Sequence, residues 1–384
     1  MAKVYKPLFE LGRIVTGKTP KTEIGEFWNG DMPFITPTDI NGYFTYYQLE
    51  TERTISELGA VKQKATILPP NSVCVTCIGS TVGKACLTKV TSITNQQINS
   101  IIHNKENDYR YILYLIRYNL PYMQLIGGGS GSGTPIISKN KFGRFKFLVE
   151  ENLLLQRRIA SILSTYDTLI ENNTKRIRLL EKMAENLYKE WFVRFRFPGH
   201  EKEEMEGGLP KGWREGSLSE VCEFKRGKNI TSSEMQDGAI PVISAGISPS
   251  GFHTEANVHG ISVTMSSSGA NAGFIAIHYS DIWAADCSYI GEASTPYIYY
   301  VYELLNNIRS VITNFQRGAA QPHVYPKDIN HIKLIIPSEN LRKEANDRLS
   351  ILHKEIANYQ QQNTLLARQR DLLLPRLMSG KLEV

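Results

Sequence analysis

From Glu151 to Phe197 the chain carries neither glycine nor proline and keeps a helical apolar rhythm. Steps of four and three residues run through Leu155, Ile159, Ile162, Tyr166, Leu169, Asn173, Arg176, Leu180, Met183 and Leu187. This spacing predicts an amphipathic helix of roughly 65 Å at 1.5 Å rise per residue. An average globular helix has about 11–12 residues, so a rod of this length needs another helix along its heptad seam.

The same chain supplies one. A second helix is expected from Ser338 to Leu374, stopping at Pro375 because proline cannot continue the hydrogen-bond ladder. Its seam is Ala345, Leu349, Leu352, Ile356, Tyr359, Asn363, Leu366, Arg370, Leu373 and Leu377, each 190 residues after its counterpart. The segments preceding the helices echo each other as well. Gly17-Lys18 returns as Gly227-Lys228, and Pro33-Phe34-Ile35-Thr36 returns as Pro241-Val242-Ile243-Ser244. Ser72, Thr76, Gly79 and Gly83 return as Ser262, Ser266, Gly269 and Gly273. A long-period repeat of this kind is an internal duplication.

Short alternating runs such as Val73-Cys74-Val75 and Phe274-Ile275-Ala276-Ile277 read as strands. One helix per half is expected, near Tyr109–Tyr118 and Pro296–Thr313. The expected fold is α+β. Two strand-rich globular modules (1–150 and 198–337) alternate with two long helices (151–197 and 338–384), which pair as an antiparallel coiled coil with pseudo-twofold symmetry. Gly199–Gly212 reads as the linker into the second half. The equivalent asparagines Asn173 and Asn363 are the polar seam residues expected to fix the helix register near the pseudo-dyad.

Composition narrows the class. The 384 residues are 41% hydrophobic and 21% charged, as in a globular protein. No run of about 18 apolar residues suggests a membrane span. The start of the chain does not read as a signal peptide, and five scattered cysteines suit reduced thiols, so a cytoplasmic location is expected. A net charge of +6 is compatible with a polyanionic partner.

Catalytic motifs do not emerge. Gly79-Ser-Thr-Val-Gly83-Lys84 has one residue too few between its glycines for a phosphate loop, and Ala85 follows the lysine, so a strand-end turn is the better reading. Cys74 and Cys77 have C-x-x-C spacing without a second ligand pair, and strand alternation sends them to opposite faces. The Gly127–Gly133 loop lacks the order of a dinucleotide site. Glu223-Phe-Lys225 stands alone, without the rest of a nuclease motif. No metal site is expected.

Matched basic and amide-bearing loops do emerge. Lys18 and Thr19 in the first half pair with Arg226 and Lys228 in the second. Lys84, Asn95 and Gln96 lie near one strand region, Asn271 occupies the matching loop, and Arg317, Gln321 and His323 follow the helix of the second half. Lys and Arg neutralise phosphates, while Arg, Asn and Gln can read base edges, so these residues are the candidate DNA-binding set. Each of them alone would pass for a solvated surface side chain.

With these motifs in place, the chain resembles the specificity subunit of type I restriction–modification systems over its whole length. The resemblance rests on Leu11-Gly12 through Gly17-Lys18-Thr19-Pro20, Asn95-Gln96-Gln97-Ile98-Asn99, Gln156-Arg157-Arg158-Ile159-Ala160, Glu185 to Phe192, and Leu372 to Gly380. Ala285-Asp286-Cys287 departs from the Asn95-Gln96-Gln97 pattern. The resemblance implies two target recognition domains reading double-stranded DNA at a bipartite, asymmetric site, with the helices as spacer. It further implies two modification subunits using S-adenosylmethionine, and restriction subunits using ATP and Mg2+. No catalysis or cofactor is expected in this chain. The alternative is a non-catalytic coiled-coil adaptor whose globular heads bind protein, which a salt series would distinguish from a DNA binder.

Overall fold

The structure, a computed structural model, describes residues 3–40, 46–48, 50–127, 136–317 and 322–384. It contains two compact units, Met1–Lys175 with Gln360–Val384, and Arg176–Tyr359. Each unit therefore combines one globular module with a portion of both long helices.

The duplication is visible strand by strand. In the first module the main sheet runs Gly12–Thr16, Ile98–His103, Val73–Thr76, Ala85–Thr88 and Tyr47–Gln48. In the second it runs Lys225–Arg226, Cys287–Gly291, Ser262–Ser266 and Ile275–His278, in the same order. A smaller sheet in each module contains one antiparallel and one parallel pairing. Trp28–Ile35 sits between Arg53–Ile55 and Ile93–Thr94, and Ile240–Ile243 between Gly251–His253 and Trp283–Ala284. A two-stranded ladder leads into each long helix: Lys3–Pro7 with Lys146–Glu150, and Arg214–Ser217 with Lys333–Ile336.

The central strands are covered on both faces, which explains their continuous apolar character. Val73 and Val75 face the core beneath the module helix, whereas Cys74 joins a second cluster with Ile35, Leu68 and Cys86. Cys77 belongs to the first cluster, so the two C-x-x-C sulfurs do lie in different layers. All five cysteines are buried and free. Among the described residues no group of His, Cys, Asp and Glu could hold a metal ion, and no helix is long and apolar enough to cross a membrane.

The expected module helices are Tyr109–Tyr118, followed by Leu120–Gly127, and Ile298–Asn307, followed by Arg309–Thr313. They are not alone: Glu57–Lys62, Lys139–Gly143 and Pro326–Ile329 are short helices that the sequence did not announce. The presumed linker holds a small hairpin, Met205–Glu206 with Leu209–Pro210, turned by Gly207 and Gly208 at φ of 59° and 86°. Two consecutive positive φ angles strongly favour glycine at both positions.

The first long helix runs Leu153–Tyr188 rather than from Glu151 to Phe197. Asn152 starts it by accepting hydrogen bonds from the Leu154 and Leu155 amides at 2.9 and 3.3 Å. A wide turn at Lys189–Val193 ends it, where Trp191 and Phe192 are drawn into the second module's core. The second long helix spans Glu339–Ser379 and does not stop at Pro375. Proline sacrifices one backbone bond there, but Leu374, Leu377 and Met378 are buried in the first module's core. Burial of three large side chains contributes several kcal/mol and outweighs the roughly 3 kcal/mol proline penalty.

Within the first unit the helices are antiparallel, since Asp167 meets Arg370 while Asn173 meets Gln362. Within the second unit Arg176 donates to the Tyr359 hydroxyl at 3.3 Å. The seam of the first helix keeps the expected Ile159 and Asn173 but is elsewhere displaced by one residue. Gln156, Ala160, Leu163, Asp167, Ile170, Ala184 and Tyr188 are buried, whereas Leu169 and Met183 are 44% and 54% exposed. Small and polar residues were the hidden half of the pattern, because their burial depends on partners elsewhere in the chain.

Candidate nucleic-acid interface

In both modules the ends of three main-sheet strands converge with the segment that follows the module helix. Gly17 and Gly227 enter these loops at matched points. The Gly17 amide donates to the Ile98 carbonyl at 3.2 Å, and the Gly227 amide to the Cys287 carbonyl at 2.9 Å. The next amides, of Lys18 and Lys228, donate to Thr94 and Ala284 at 3.0 and 2.9 Å. A β-carbon at Gly17 would lie 2.2 Å from the Thr94 carbonyl oxygen, and one at Gly227 would lie 2.4 Å from that of Ala285. Neither position has room for a side chain.

These bonds also correct the alignment of the loops. Thr94 matches Ala284 and Ile98 matches Cys287, so Asn95-Gln96-Gln97 is answered by only Ala285-Asp286. The second loop is one residue shorter, and Cys287 is a strand residue. Burial pushes its thiol up to about 12, and those of Cys77 and Cys222 up to about 11 and 12, which leaves these thiols un-ionised at neutral pH.

The first module's loop end is built from neutral amides and hydroxyls. Thr19 Oγ1 donates to Gln96 Oε1 at 2.6 Å, and the buried Asn95 side chain folds back on Gln97, accepting from its amide at 3.0 Å. Beneath them Asn99 accepts from the Thr16 hydroxyl at 2.6 Å and donates to the Ile137 carbonyl at 3.0 Å. Lys18 is exposed beside this cluster. Lys84 ends the turn from Gly79 to Gly83, its carbonyl accepting from the Thr76 amide at 2.9 Å. Gly79 and Gly83 take φ of 57° and 84°, so this segment is the strand-end turn expected from sequence.

The second module carries charges at the same place. Arg226 occupies the strand position of Thr16 and pairs with Asp286, whose other oxygen accepts from the buried Ser268 hydroxyl at 2.8 Å. Ser268 bridges to His323, and His323 exchanges backbone hydrogen bonds with Arg317 at 2.8 and 2.9 Å. Arg317 in turn pairs with Asp328 at 2.9 Å. Lys228 lies 5.9 Å from the Trp283 ring centroid, and the Trp283 indole donates to the Lys228 carbonyl at 2.9 Å. Asn271 closes the neighbouring turn, its carbonyl accepting from Phe274 at 2.9 Å. Gln321 lies outside the described residues, as does most of the Gly127–Gly133 loop. Sequence reasoning missed the roles of Asp286, Ser268, Trp283 and Asp328. Acidic and aromatic residues carry no phosphate signal of their own, and only the fold brings them to the basic ones.

The two registry asparagines stand where the paired helices come together in the first unit. Asn173 donates to Gln362 at 3.3 Å, and Asn363 donates to Thr174 Oγ1 at 3.5 Å. Each bonds the immediate neighbour of the other.

A duplicated α+β module with polar loops at one sheet end, joined by paired helices, defines a class of modular recognition proteins. The profile of the type I restriction modification DNA specificity domain matches residues 3–182 and 210–367, and the chain belongs to that family as a specificity subunit with two target recognition domains. It is 28% identical to the type I restriction enzyme MjaIX specificity subunit of Methanocaldococcus jannaschii, over 99% of this chain and 93% of the relative. It is 29% identical to the HindI specificity subunit of Haemophilus influenzae over 46% of this chain and 38% of that one. The crystal structure of a type I S subunit from M. genitalium shares the fold at a TM-score of 0.59 and 18% identity, covering 98% of this chain and 96% of the other.

Proposed function

We propose that this chain reads a split, asymmetric double-stranded DNA sequence, one half-site per module, and docks two modification subunits on its helices. It acts without catalysis of its own. The modification subunits bring S-adenosylmethionine for adenine methylation, and restriction subunits, where they join, bring ATP and Mg2+. The candidate contacts are Lys18, Thr19, Lys84, Asn95 and Gln96 in one module, and Arg226, Lys228, Asn271, Arg317, Gln321 and His323 in the other. One observation carries this reading: the same loop end is built twice on the same scaffold but furnished with different side chains, amides in one module and Arg–Asp pairs in the other. Identical scaffolds support equivalent docking on DNA, and different furnishings call for different half-sites.

The test is to purify the chain with its modification subunits and map methylated adenines across a genome incubated with the complex. The expected outcome is one bipartite motif with unlike halves, bound with an affinity that falls steeply as salt rises. A palindromic motif would contradict the unlike half-sites, and binding indifferent to salt would overturn the reading in favour of a protein-binding adaptor.

A further inference from the structure

The loop end of the second module contains a device not found among the described residues of the first. Arg226 leaves the edge of the main sheet and its guanidinium is held by Asp286, with the two side chains 45% and 36% exposed. Asp286 is itself fixed, because Ser268, only 5% exposed, donates its hydroxyl to the second carboxylate oxygen at 2.8 Å. The backbone around Ser268 is tied on both sides. Val324 donates to Ser267 at 3.0 Å and Gly269 donates to Pro322 at 2.9 Å. A half-exposed arginine is thus anchored through a carboxylate to a buried hydroxyl on a rigid turn.

The charge balance of that arrangement selects its ligand. A lysine or arginine intended for a phosphate works through its unopposed positive charge. An Arg–Asp pair is close to neutral, so the carboxylate offsets part of the guanidinium's attraction for a phosphate. A guanine edge is uncharged and offers two acceptors, O6 and N7, which a planar guanidinium of fixed orientation can bind together. Fixing that orientation beforehand removes the side-chain entropy cost of binding.

We propose that Arg226 reads a guanine in the half-site of the second module, with Asp286 as its positioning residue. This rests on the reading of the chain as a DNA-specificity subunit. In the first module Thr16 occupies the matching strand position, and the loop above it carries the Thr19–Gln96 amide pair, so this guanine contact belongs to one half-site only.

The test uses the full chain in complex with its modification subunits and a pool of DNA duplexes randomised across both half-sites, read out by mapping methylated adenines. Arg226→Ala should relax one guanine position of one half-site, lowering discrimination there by about 5- to 150-fold, the range for one bidentate contact. Asp286→Asn, nearly isosteric, should relax the same position by a smaller factor, and Arg226→Lys should leave partial preference for guanine. The other half-site serves as the internal control for folding and must keep its stringency. Uniform weakening over all sequences, with the salt slope reduced by about one, would make Arg226 a phosphate contact and overturn the proposal. Unchanged specificity at every position would also overturn it. A wild-type complex that selects no bipartite motif would instead refute the underlying DNA-specificity reading, so the two failures are distinguishable.

Discussion

At the scale of single residues, the most consequential group outside the loops is Asp167. Its carboxylate accepts from the Tyr114 hydroxyl at 2.6 Å, from Arg117 at 2.9 Å and from Arg370, with both arginine side chains at most 3% exposed. Burial, reinforced by the neighbouring Asp167, raises the Tyr114 phenol well above its usual range, so it stays a donor. Removing one partner of a buried ion pair leaves uncompensated charge and costs about 3–5 kcal/mol. Asp167→Asn should therefore destabilise the first unit by that amount in chemical denaturation. Asp371→Asn, at the 47%-exposed partner of Arg370, should cost at most about 1 kcal/mol. His278 makes a second prediction. Burial lowers its pKa to about 4, and Thr264 lies 2.8 Å from Nε2. The folded state keeps this ring neutral while the unfolded chain protonates it near pH 6.5, so its contribution is complete above that pH. Stability should fall by about 1–3 kcal/mol between pH 6.5 and 4, and His278→Gln should flatten that part of the profile.

At the scale of elements, the long helices act as more than a seam. Gln156 accepts from the Asp108 amide at 2.9 Å, beside the first turn of the module helix, and its amide donates to the Glu150 carbonyl at 2.7 Å. Its counterpart Asn346 accepts from the Tyr299 and Tyr300 amides at 3.1 and 3.3 Å, in the first turn of the other module helix. Each buried amide thus docks a module onto the helix that follows it. Asn346→Ala should cost about 1–3 kcal/mol by stranding those amides, as measured by thermal or denaturant unfolding. The 190-residue offset, the two long helices and the repeated strand order were legible in the sequence because periodicity and large apolar residues report them directly. The one-residue displacement of part of the first seam was not. Gln156, Asp167 and Ala184 are buried by long-range partners, whereas Leu169 and Met183 have the right chemistry on the wrong face. The continuation past Pro375 was hidden for the same reason, since the core that buries Leu377 and Met378 comes from the far end of the chain. If the helices set the half-site spacing, inserting four helical residues after Asn173 adds about 6 Å. The preferred gap in the methylated motif should then lengthen by one or two base pairs with both halves unchanged. An unaltered gap would show that the helices do not set it.

At the scale of the whole molecule, duplication makes the two modules alike in topology and free to differ in their loops. Polar side chains at loop ends show which positions differ, but their partners come from strands scattered over each module. For this reason the matched Gly17 and Gly227 loops could be picked out of the sequence, whereas the Arg226–Asp286–Ser268 relay could not. The central claim is that each module reads its own half-site. It is tested most directly by replacing residues 1–150 with the corresponding module of another specificity subunit and mapping the adenines methylated by the resulting complex. The account predicts a hybrid motif, with one half-site exchanged and the other identical to the parent. Retention of both parental half-sites, or the loss of both together, would contradict it.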